Sequence, residues 1–484
     1  MPLEPTQYIQ KCLQTSAELS VLKTTDPQGK PFHKRLIFSE LERLTNKFQA
    51  GDRDERWLVM LGMRGVGKST LLHQTYRHLT ETLHVNQKDI LCFSMSDAFG
   101  QLAVGLDKTV QSFEDLRGTR LGSERTPIYL LVDEAHHDPK WAESAKEIYE
   151  RVPNVFLLIT GSSALSLQDD GDLEADKARR VNWLHVTPLK YVEFLLLHDG
   201  VDFTDLSGPV TQALFRSASG SEVVGRLSSL RNRLLEFQVH CDDLKVRKYL
   251  TQGGLPYAIN LPPVLAYDRI IRTTNAVIEK DLTLLKRVRF ESETIRKFPQ
   301  LLTLLATWEN VSLDKLAGSA LNIEKPTLIQ MLDALRKCEL IKSIKTHGGV
   351  RIKATRPPRY VFGSTNVKAA FRWNVGAQVI TPADFGVLLE DLMVQYFETG
   401  DPGQPIAVYR RDGTNEADFI LETPLKEIII CEIGFGRKTT EQVRNTMNDK
   451  DVKAKYGLTI ADEPLGVSPD GDIAIVPKEY LLAC

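Results

Sequence analysis

The glycine-rich run Gly62–Ser69 constrains the fold of this chain more than any other segment. It follows the apolar run Trp57–Leu61 and precedes a stretch with helical spacing. Glycines let the backbone turn its N–H groups around a phosphate, and the N-terminus of the next helix adds a positive dipole end. A chance turn before a helix is the alternative. The complete eight-residue pattern between a strand and a helix favours a phosphate-binding loop.

Two side chains of this loop are predicted to act on bound ATP and Mg²⁺. Lys68 is expected to reach the β- and γ-phosphates, and the Ser69 hydroxyl to take one Mg²⁺ position. The other expected nucleotide contacts come from Gly62, Met63, Arg64, Gly65, Val66, Gly67 and Thr70. Adenine is favoured because no Asn-Lys-x-Asp guanine-reading motif follows. The predicted cofactors are therefore ATP and Mg²⁺.

An acidic pair, Asp133 and Glu134, comes directly after the apolar run Ile128–Val132. Carboxylates at the end of a buried parallel strand lie at the sheet edge where ligands bind. Asp133 is predicted to hold Mg²⁺ through water, and Glu134 to polarise the attacking water. The alternative is that the pair only caps a following helix.

Short apolar runs alternate with helical stretches, which predicts an α/β fold with a parallel sheet covered on both faces. The runs are Trp57–Leu61, Ile90–Phe93, Ile128–Val132, Val155–Ile159 and Leu184–Val186. We interpret Ile90–Phe93, between the two motifs, as the extra strand of the additional-strand, catalytic-glutamate class of P-loop NTPases. Thr160 or Ser162, after the fourth run, is the candidate sensor of the γ-phosphate. A helix cap is the alternative for both residues.

Length and composition narrow the remaining choices. A chain of 484 residues predicts two to four domains, and a net charge of −2 argues against a uniformly basic nucleic-acid binder. The six cysteines have no paired spacing, which argues against a disulfide framework or a metal knuckle and fits a reducing compartment. No apolar run reaches the roughly 18 residues that span a bilayer. We expect a cytoplasmic protein with no signal peptide and no membrane partner.

Four further segments resemble a prokaryotic family, the archaeal-type branch of AAA-like ATPases close to the STAND signalling ATPases. They are Leu157–Ser163, Pro188–Phe194, Tyr249–Pro256 and Ile278–Asp281. The resemblance implies an ATPase core, a helical lid, a winged helix and a C-terminal nuclease-like domain. It also implies a catalytic role for Arg180, which matches the arginine of a Gly-Arg pair whose glycine is replaced here by Arg179. A surface cation on a helix is the alternative for Arg180.

The resulting domain prediction has five parts. They are an N-terminal extension over 1–35, a P-loop ATPase core over 36–204, a helical lid over 205–292, a winged helix over 293–366 and a restriction-endonuclease-like domain over 380–484.

The predicted winged helix carries a basic run. Its second helix is expected at Thr327–Lys337, and no acidic residue interrupts the run between Lys342 and Arg359. The basic residues are Lys342, Lys345, Arg351, Lys353, Arg356 and Arg359. A phosphate backbone requires such a surface, so a nucleic-acid partner is predicted, with duplex DNA favoured. A module that only docks another protein is the alternative.

Three carboxylates near the C-terminus, Glu390, Asp418 and Glu432, follow the order of the restriction-endonuclease-like fold, in which they bind Mg²⁺. The family's lysine two positions beyond the last carboxylate is replaced by Gly434. Lys438 is the nearest substitute. We therefore expect a degenerate domain with no nuclease activity.

The sequence as a whole predicts an Mg-ATP-hydrolysing switch that engages DNA or another nucleic acid. Genome defence or mobile-element maintenance suits the resemblance. An ATP-gated nuclease and a nucleotide-binding scaffold with little turnover remain alternatives. Protein partners and a homo-oligomer stay open.

Overall fold

The chain divides into two compact units. A computed structural model describes residues 4–123, 125–161, 180–282, 290–308, 312–349, 352, 356–376, 381–398, 406–411 and 415–484. The first unit comprises residues 1–186 and 280–289, and the second comprises residues 187–279 and 290–484. Among the described residues, no helix is both long and apolar enough to cross a membrane. The five-part domain division stays a prediction.

The first unit is built on a sheet of five parallel strands, in the order β2-β3-β4-β1-β5. Its strands are β1 (Trp57–Leu61), β2 (Ile90–Ser94), β3 (Ile128–Asp133), β4 (Val155–Thr160) and β5 (Asn182–His185). The central strands are continuous apolar runs because both faces of a parallel sheet are covered. The predicted parallel α/β fold is confirmed.

Two strand predictions need correction. The strand between β1 and β3 is β4, whereas the Ile90 run forms β2 at the sheet edge. The extra strand of this class lies in the sheet between the strand before the loop and the strand that carries the acidic pair. That strand is β4, and the prediction of the Ile90 run is wrong because the order of strands along the chain does not give their order in the sheet. The fifth strand begins at Asn182 rather than at Leu184. Only Leu184 of the four residues in β5 is buried, and the first residue is the polar Asn182, so an apolar run does not mark where this strand begins.

Helices cover both faces of this sheet. They are α1 (Pro5–Thr24), α2 (Phe38–Gln49), α3 (Lys68–Arg77), α4 (Met95–Leu102), α5 (Leu106–Arg117) and α6 (Trp141–Arg151). Helix α1 contributes Tyr8 and Ile9 to the core that contains Val59 and Leu91. The hydroxyl of Ser20 lies 3.0 Å from Nδ1 of His73 on α3. The helix from the predicted N-terminal extension is thus packed into the first unit.

The second unit contains a mixed eight-stranded sheet in the order β12-β13-β11-β10-β9-β8-β6-β7. Its strands are β6 (Ile341–Thr346), β7 (Arg359–Phe362), β8 (Ala407–Arg410), β9 (Phe419–Glu422), β10 (Ile428–Ile433), β11 (Ala454–Ala461), β12 (Gly466–Val467) and β13 (Ile473–Pro477). Its α-helices of seven or more residues are Tyr191–Asp199, Ser207–Phe215, Gly220–Ser229, Arg231–Gln238, Pro263–Ala276, Ser292–Thr307, Lys325–Lys337, Thr365–Asn374, Pro382–Glu398 and Glu441–Met447.

The region predicted as a winged helix has the expected element order. Helices Ser292–Thr307 and Lys325–Lys337 precede the antiparallel pair β6–β7. However, β6 also pairs in parallel with β8, with Lys345 opposite Tyr409. The strand pair therefore continues into the C-terminal sheet instead of forming an isolated wing.

Candidate functional site

The glycines of the phosphate loop adopt backbone conformations that other residues avoid. Gly62 has φ +148° and Gly67 has φ +99°. A Cβ atom on Gly62 would lie 2.1 Å from the carbonyl oxygen of Val186, so the close approach of these two backbone segments requires glycine there. Gly67 caps the N-terminus of α3 in a left-handed conformation. The loop therefore begins and ends at positions that only glycine fits without strain.

Lys68 and Ser69 occupy the first turn of α3, followed by Thr70. Lys68 is buried, and its Nζ donates to the carbonyl oxygens of Gly62 and Met63 at 2.6 and 3.0 Å. The ammonium group thus lies inside the curve of the loop. The hydroxyl-bearing Ser69 follows at the helix N-terminus, where the positive dipole end favours an anion.

Arg35 is a structural contributor that the sequence did not reveal. It is buried, and its Nη1 donates to the carbonyl oxygen of Val66 at 2.8 Å. An arginine 31 residues before its partner belongs to no motif, so no sequence signal identified it.

The acidic pair lies at the same edge of the sheet as the loop. Asp133 ends β3, and Glu134 follows it. Because β3 and β4 are neighbours, Thr160 at the end of β4 reaches both acidic residues. The Thr160 hydroxyl donates to Oδ1 of Asp133 and accepts from the backbone N–H of Glu134 at 3.0 Å. Of the two sensor candidates, Thr160 therefore lies beside the pair, and Ser162 lies outside the described residues.

Glu134 has an unusual backbone, and its carboxylate lies close to Arg64 and His137. Its φ of 52° and ψ of 42° are left-handed, a conformation that costs a non-glycine residue about 1 kcal/mol or more. The hydrogen bond from its N–H to Thr160 holds it there. Its carboxylate lies 3.5 Å from Nη2 of Arg64 and 3.7 Å from Nε2 of His137. The loop and the acidic pair thus contact each other directly.

His136 is buried beside these charges. Burial, followed by the positive charges of His137, Lys68 and Arg64, lowers the pKa of His136 to about 3. Both desolvation and like charge disfavour the protonated ring. His136 is therefore neutral at physiological pH.

Arg180 does not lie with the phosphate loop of its own chain. It precedes β5, whose first residue Asn182 pairs with Leu58 near the start of β1. The loop follows the other end of β1, about 13 Å away at 3.3 Å per strand residue. Arg180 forms a partly exposed ion pair with Glu150. This placement agrees with Arg180 being a surface cation rather than a catalytic residue for the phosphate loop of its own chain. Arg179 lies outside the described residues.

The second unit brings two of the three C-terminal carboxylates together. The N–H of Asp418 donates to Oε2 of Glu432 at 3.1 Å, and the N–H of Ile433 donates to Oδ2 of Asp418 at 2.9 Å. Burial, reinforced by the charge of Glu432, raises the pKa of Asp418 to about 6. Glu432 lies within β10, which continues to Ile433.

The third carboxylate, Glu390, lies in helix Pro382–Glu398 and pairs with Arg359 at 3.0 Å. Burial raises the pKa of Glu390 to about 7, against the opposing charge of Arg359. Glu390 and Asp418 line one cavity of about 830 Å³ in the second unit. Within the part of the chain that the structure describes, no three His, Cys, Asp or Glu side chains are arranged to hold a metal ion. Of the three predicted carboxylates, Asp418 and Glu432 are therefore in contact with each other, and Glu390 pairs with Arg359.

Lys438 lies beside both Glu432 and position 434. Its Nζ lies 2.6 Å from Oε1 of Glu432. A Cβ atom on Gly434 would lie 2.4 Å from Cε of Lys438. The side chain of Lys438 thus fills space that a side chain at position 434 would need.

Comparisons with known proteins agree with the geometry of the first unit. A family profile described as an AAA domain matches residues 54–195. The chain is 30% identical to the Methanocaldococcus jannaschii protein named Uncharacterized protein MJ1637. The alignment spans 452 residues, which is 93% of this chain and 89% of that protein. A Haemophilus influenzae protein is 30% identical over 138 residues, which is 28% of this chain and 32% of that protein.

Solved structures show weaker likenesses. The Walker-type ATPase of Pyrococcus abyssi has 16% identity and a TM-score of 0.41, with 73% of this chain and 99% of that chain covered. The ORC2 protein of Aeropyrum pernix has 11% identity and a TM-score of 0.36, with 70% and 94% covered. TM-scores this low carry no argument about function.

The parallel sheet, the phosphate loop and the AAA-domain match define a P-loop ATPase domain of the AAA type over residues 54–195. Within that class, the chain belongs to the same family as the Methanocaldococcus jannaschii protein.

Proposed function

We propose that this chain binds Mg-ATP at the loop Gly62–Ser69, hydrolyses it, and uses the nucleotide state to switch its engagement of a nucleic acid. One observation carries the hydrolysis proposal. The loop, Asp133, Glu134 and Thr160 converge at one edge of the five-stranded sheet. The carboxyl ends of parallel strands are where open α/β sheets bind ligands.

Lys68 and Glu134 supply the charges that phosphoryl transfer requires. Lys68 already points into the loop, so it can exchange its carbonyl partners for the β- and γ-phosphate oxygens. Glu134 orients the attacking water and draws its proton. Catalysis of this kind depends on positioning and electrostatics rather than on covalent chemistry by the protein.

Ser69 and Asp133 would hold Mg²⁺. A hydroxyl and a carboxylate oxygen are the hard donors that this cation prefers, and Asp133 is fixed in place by Thr160. Held there, Mg²⁺ would supply the positive charge that offsets the negative charge developing on the phosphate.

Mg²⁺-dependent ATP hydrolysis by the wild type, Lys68→Ala and Glu134→Gln tests this function. Lys47→Ala is a matched control, because Lys47 pairs with Glu55 at the surface of the same unit. We expect both site variants to lose hydrolysis by at least about a hundredfold and the control to retain it. Turnover unchanged by Glu134→Gln would favour a nucleotide-binding scaffold instead.

The nucleic-acid part of the proposal rests on the basic run of the β6–β7 region. Lys345 and Arg356 are exposed there, whereas Arg359 faces Glu390. Arg351 and Lys353 lie outside the described residues. We propose duplex DNA as the ligand, with genome defence or mobile-element maintenance as the setting suggested by the family resemblance alone. Hydrolysis with and without duplex DNA tests the coupling.

A second candidate function, an ATP-gated nuclease, is favoured by the position of Lys438. Asp418 and Glu432 are in contact, and Lys438 lies where it can stabilise charge on a phosphodiester. These two carboxylates would hold Mg²⁺ in the second unit, where the cation would polarise the scissile phosphate. Mg²⁺-dependent cleavage of DNA that Asp418→Ala abolishes would support this function, and an inert wild type would leave a binding domain.

A further inference from the structure

The ion pair between Arg64 and Glu134 links the phosphate loop to the residue proposed to orient water. Arg64 Nη2 lies 3.5 Å from Oε1 of Glu134, and the two side chains are 30% and 27% exposed. The backbone of Glu134 is held by Thr160, so only its side chain can swing. Partly exposed pairs of this kind are weak. A stronger partner for Arg64 would therefore break the contact.

A nucleoside triphosphate is such a partner. Arg64 is the third residue of the loop whose backbone wraps the phosphates, so bound phosphates lie within reach of its side chain. A guanidinium group forms paired hydrogen bonds with phosphate oxygens as well as with carboxylates. Glu134 and a γ-phosphate thus compete for one cation. ADP lacks the competing group.

We propose that Arg64 exchanges partners between Glu134 and the γ-phosphate of ATP. With ATP bound, Arg64 contacts the γ-phosphate, and the released carboxylate of Glu134 turns to the attacking water. With ADP bound, the Arg64–Glu134 pair is kept, and Glu134 is withheld from water. Arg64 is thus a positioning residue for Glu134 and the group that distinguishes ATP from ADP. This inference rests on the proposed ATP hydrolysis at the loop.

Isothermal titration calorimetry with Mg-AMP-PNP and Mg-ADP tests the exchange without requiring turnover. The proteins are the wild type, R64A, E134Q and the double variant R64A/E134Q. We expect R64A to weaken AMP-PNP binding about tenfold and ADP binding less than about twofold, because a charge-assisted hydrogen bond to the γ-phosphate is lost. R64K should restore part of the preference.

The double variant separates competition from simple charge removal. We expect E134Q to tighten AMP-PNP binding about threefold when Arg64 is present, and not in the R64A background. R43A is the matched control, because Arg43 pairs with Glu40 and Glu55 on the surface. It should change neither affinity.

Two results would overturn the exchange while leaving the proposed function intact. One is equal tightening by E134Q in both backgrounds, and the other is equal weakening of both nucleotides by R64A. Failure of the folded wild type to bind either nucleotide would instead overturn the proposed function, and the exchange with it.

Discussion

Lys438 places its Nζ 2.6 Å from Oε1 of Glu432, although the restriction-endonuclease-like pattern that the C-terminal carboxylates resemble has its lysine at position 434. An ammonium group is thus brought to Glu432 from four residues further along the chain. A missing motif residue in the sequence is consequently not a missing charge in the site.

This relationship predicts a rescue. If the carboxylate pair cleaves DNA, Lys438→Ala should lower the rate by about 10²-fold or more, because charge stabilisation at the phosphate is lost. Gly434→Lys in the Lys438→Ala background should recover activity, since its Cβ points into the vacated space. Plasmid nicking with Mg²⁺ measures both. A Lys438→Ala protein that cleaves at the wild-type rate would refute the assignment.

Thr160→Val should separate catalysis from binding. The hydroxyl contacts Asp133 and the backbone N–H of Glu134, the two acidic residues proposed to act in hydrolysis. We expect kcat to fall about tenfold to a hundredfold, with ATP affinity within about twofold, because buried polar partners lose their bond. Steady-state kinetics and calorimetry check this.

Thr75→Val is the control for that substitution. Thr75 is also buried, but its hydroxyl donates only to the carbonyl oxygen of Leu71 within α3. A similar loss of kcat in both variants would mean that packing, not the Thr160 bridge, is responsible.

His136 should stay neutral through the physiological range. Its pKa is lowered to about 3 in the folded chain, against about 6.5 when unfolded. The unfolded state therefore binds more protons between these values, so folding stability should fall as pH decreases from about 6.5 towards 3, by up to about 1.4 kcal/mol per pH unit. Histidine NMR spectra, assigned with His136→Gln, should show no titration of His136 between pH 5 and 8. A midpoint near 6.5 would contradict the burial argument.

Arg180→Ala should leave hydrolysis within about twofold of the wild type in dilute protein. Arg180 lies near the amino-terminal end of β1, whereas the loop of the same chain follows the carboxyl end of that strand. Glu150→Ala is the control, since it removes the partner and keeps the arginine. A loss above about tenfold at every protein concentration would contradict this placement. A loss that appears only at high concentration, and that mixing with Glu134→Gln protein reverses, would identify a role on a neighbouring subunit.

Lys345→Glu combined with Arg356→Glu should weaken duplex DNA binding and lower the slope of log affinity against log salt by about 2, one unit for each lost phosphate contact. Lys453→Glu, at another exposed position of the second unit, is the matched control. Binding measured by fluorescence anisotropy over a salt series gives the slope. An unchanged slope would mean that Lys345 and Arg356 do not contact DNA, so that DNA is bound by other residues or the partner is a protein.

The sequence predicted the first unit well because its signals are local. The loop Gly62–Ser69, the strand before it and the acidic pair at the end of β3 can each be recognised from a few neighbouring residues. Sheet order could not be predicted, since the insertion of β4 between β1 and β3 depends on packing of distant segments. The contacts of Arg35 with Val66 and of Lys438 with Glu432 were hidden for the same reason. Ion pairs such as Arg64–Glu134 could not be predicted, because the sequence does not show which cationic side chain lies beside a given carboxylate.

The pairing of β6 with β8 limits how this protein can be dissected. A fragment that stops after residue 376 would keep the helices and β6–β7 but leave one edge of β6 without its neighbour. Exposed strand edges recruit other chains, so such a fragment is expected to self-associate. Isolated C-terminal fragments that begin after residue 380 would bare the matching edge of β8. Biochemistry on the basic residues of the β6–β7 region and on the carboxylate pair is therefore best done with point substitutions in the whole chain.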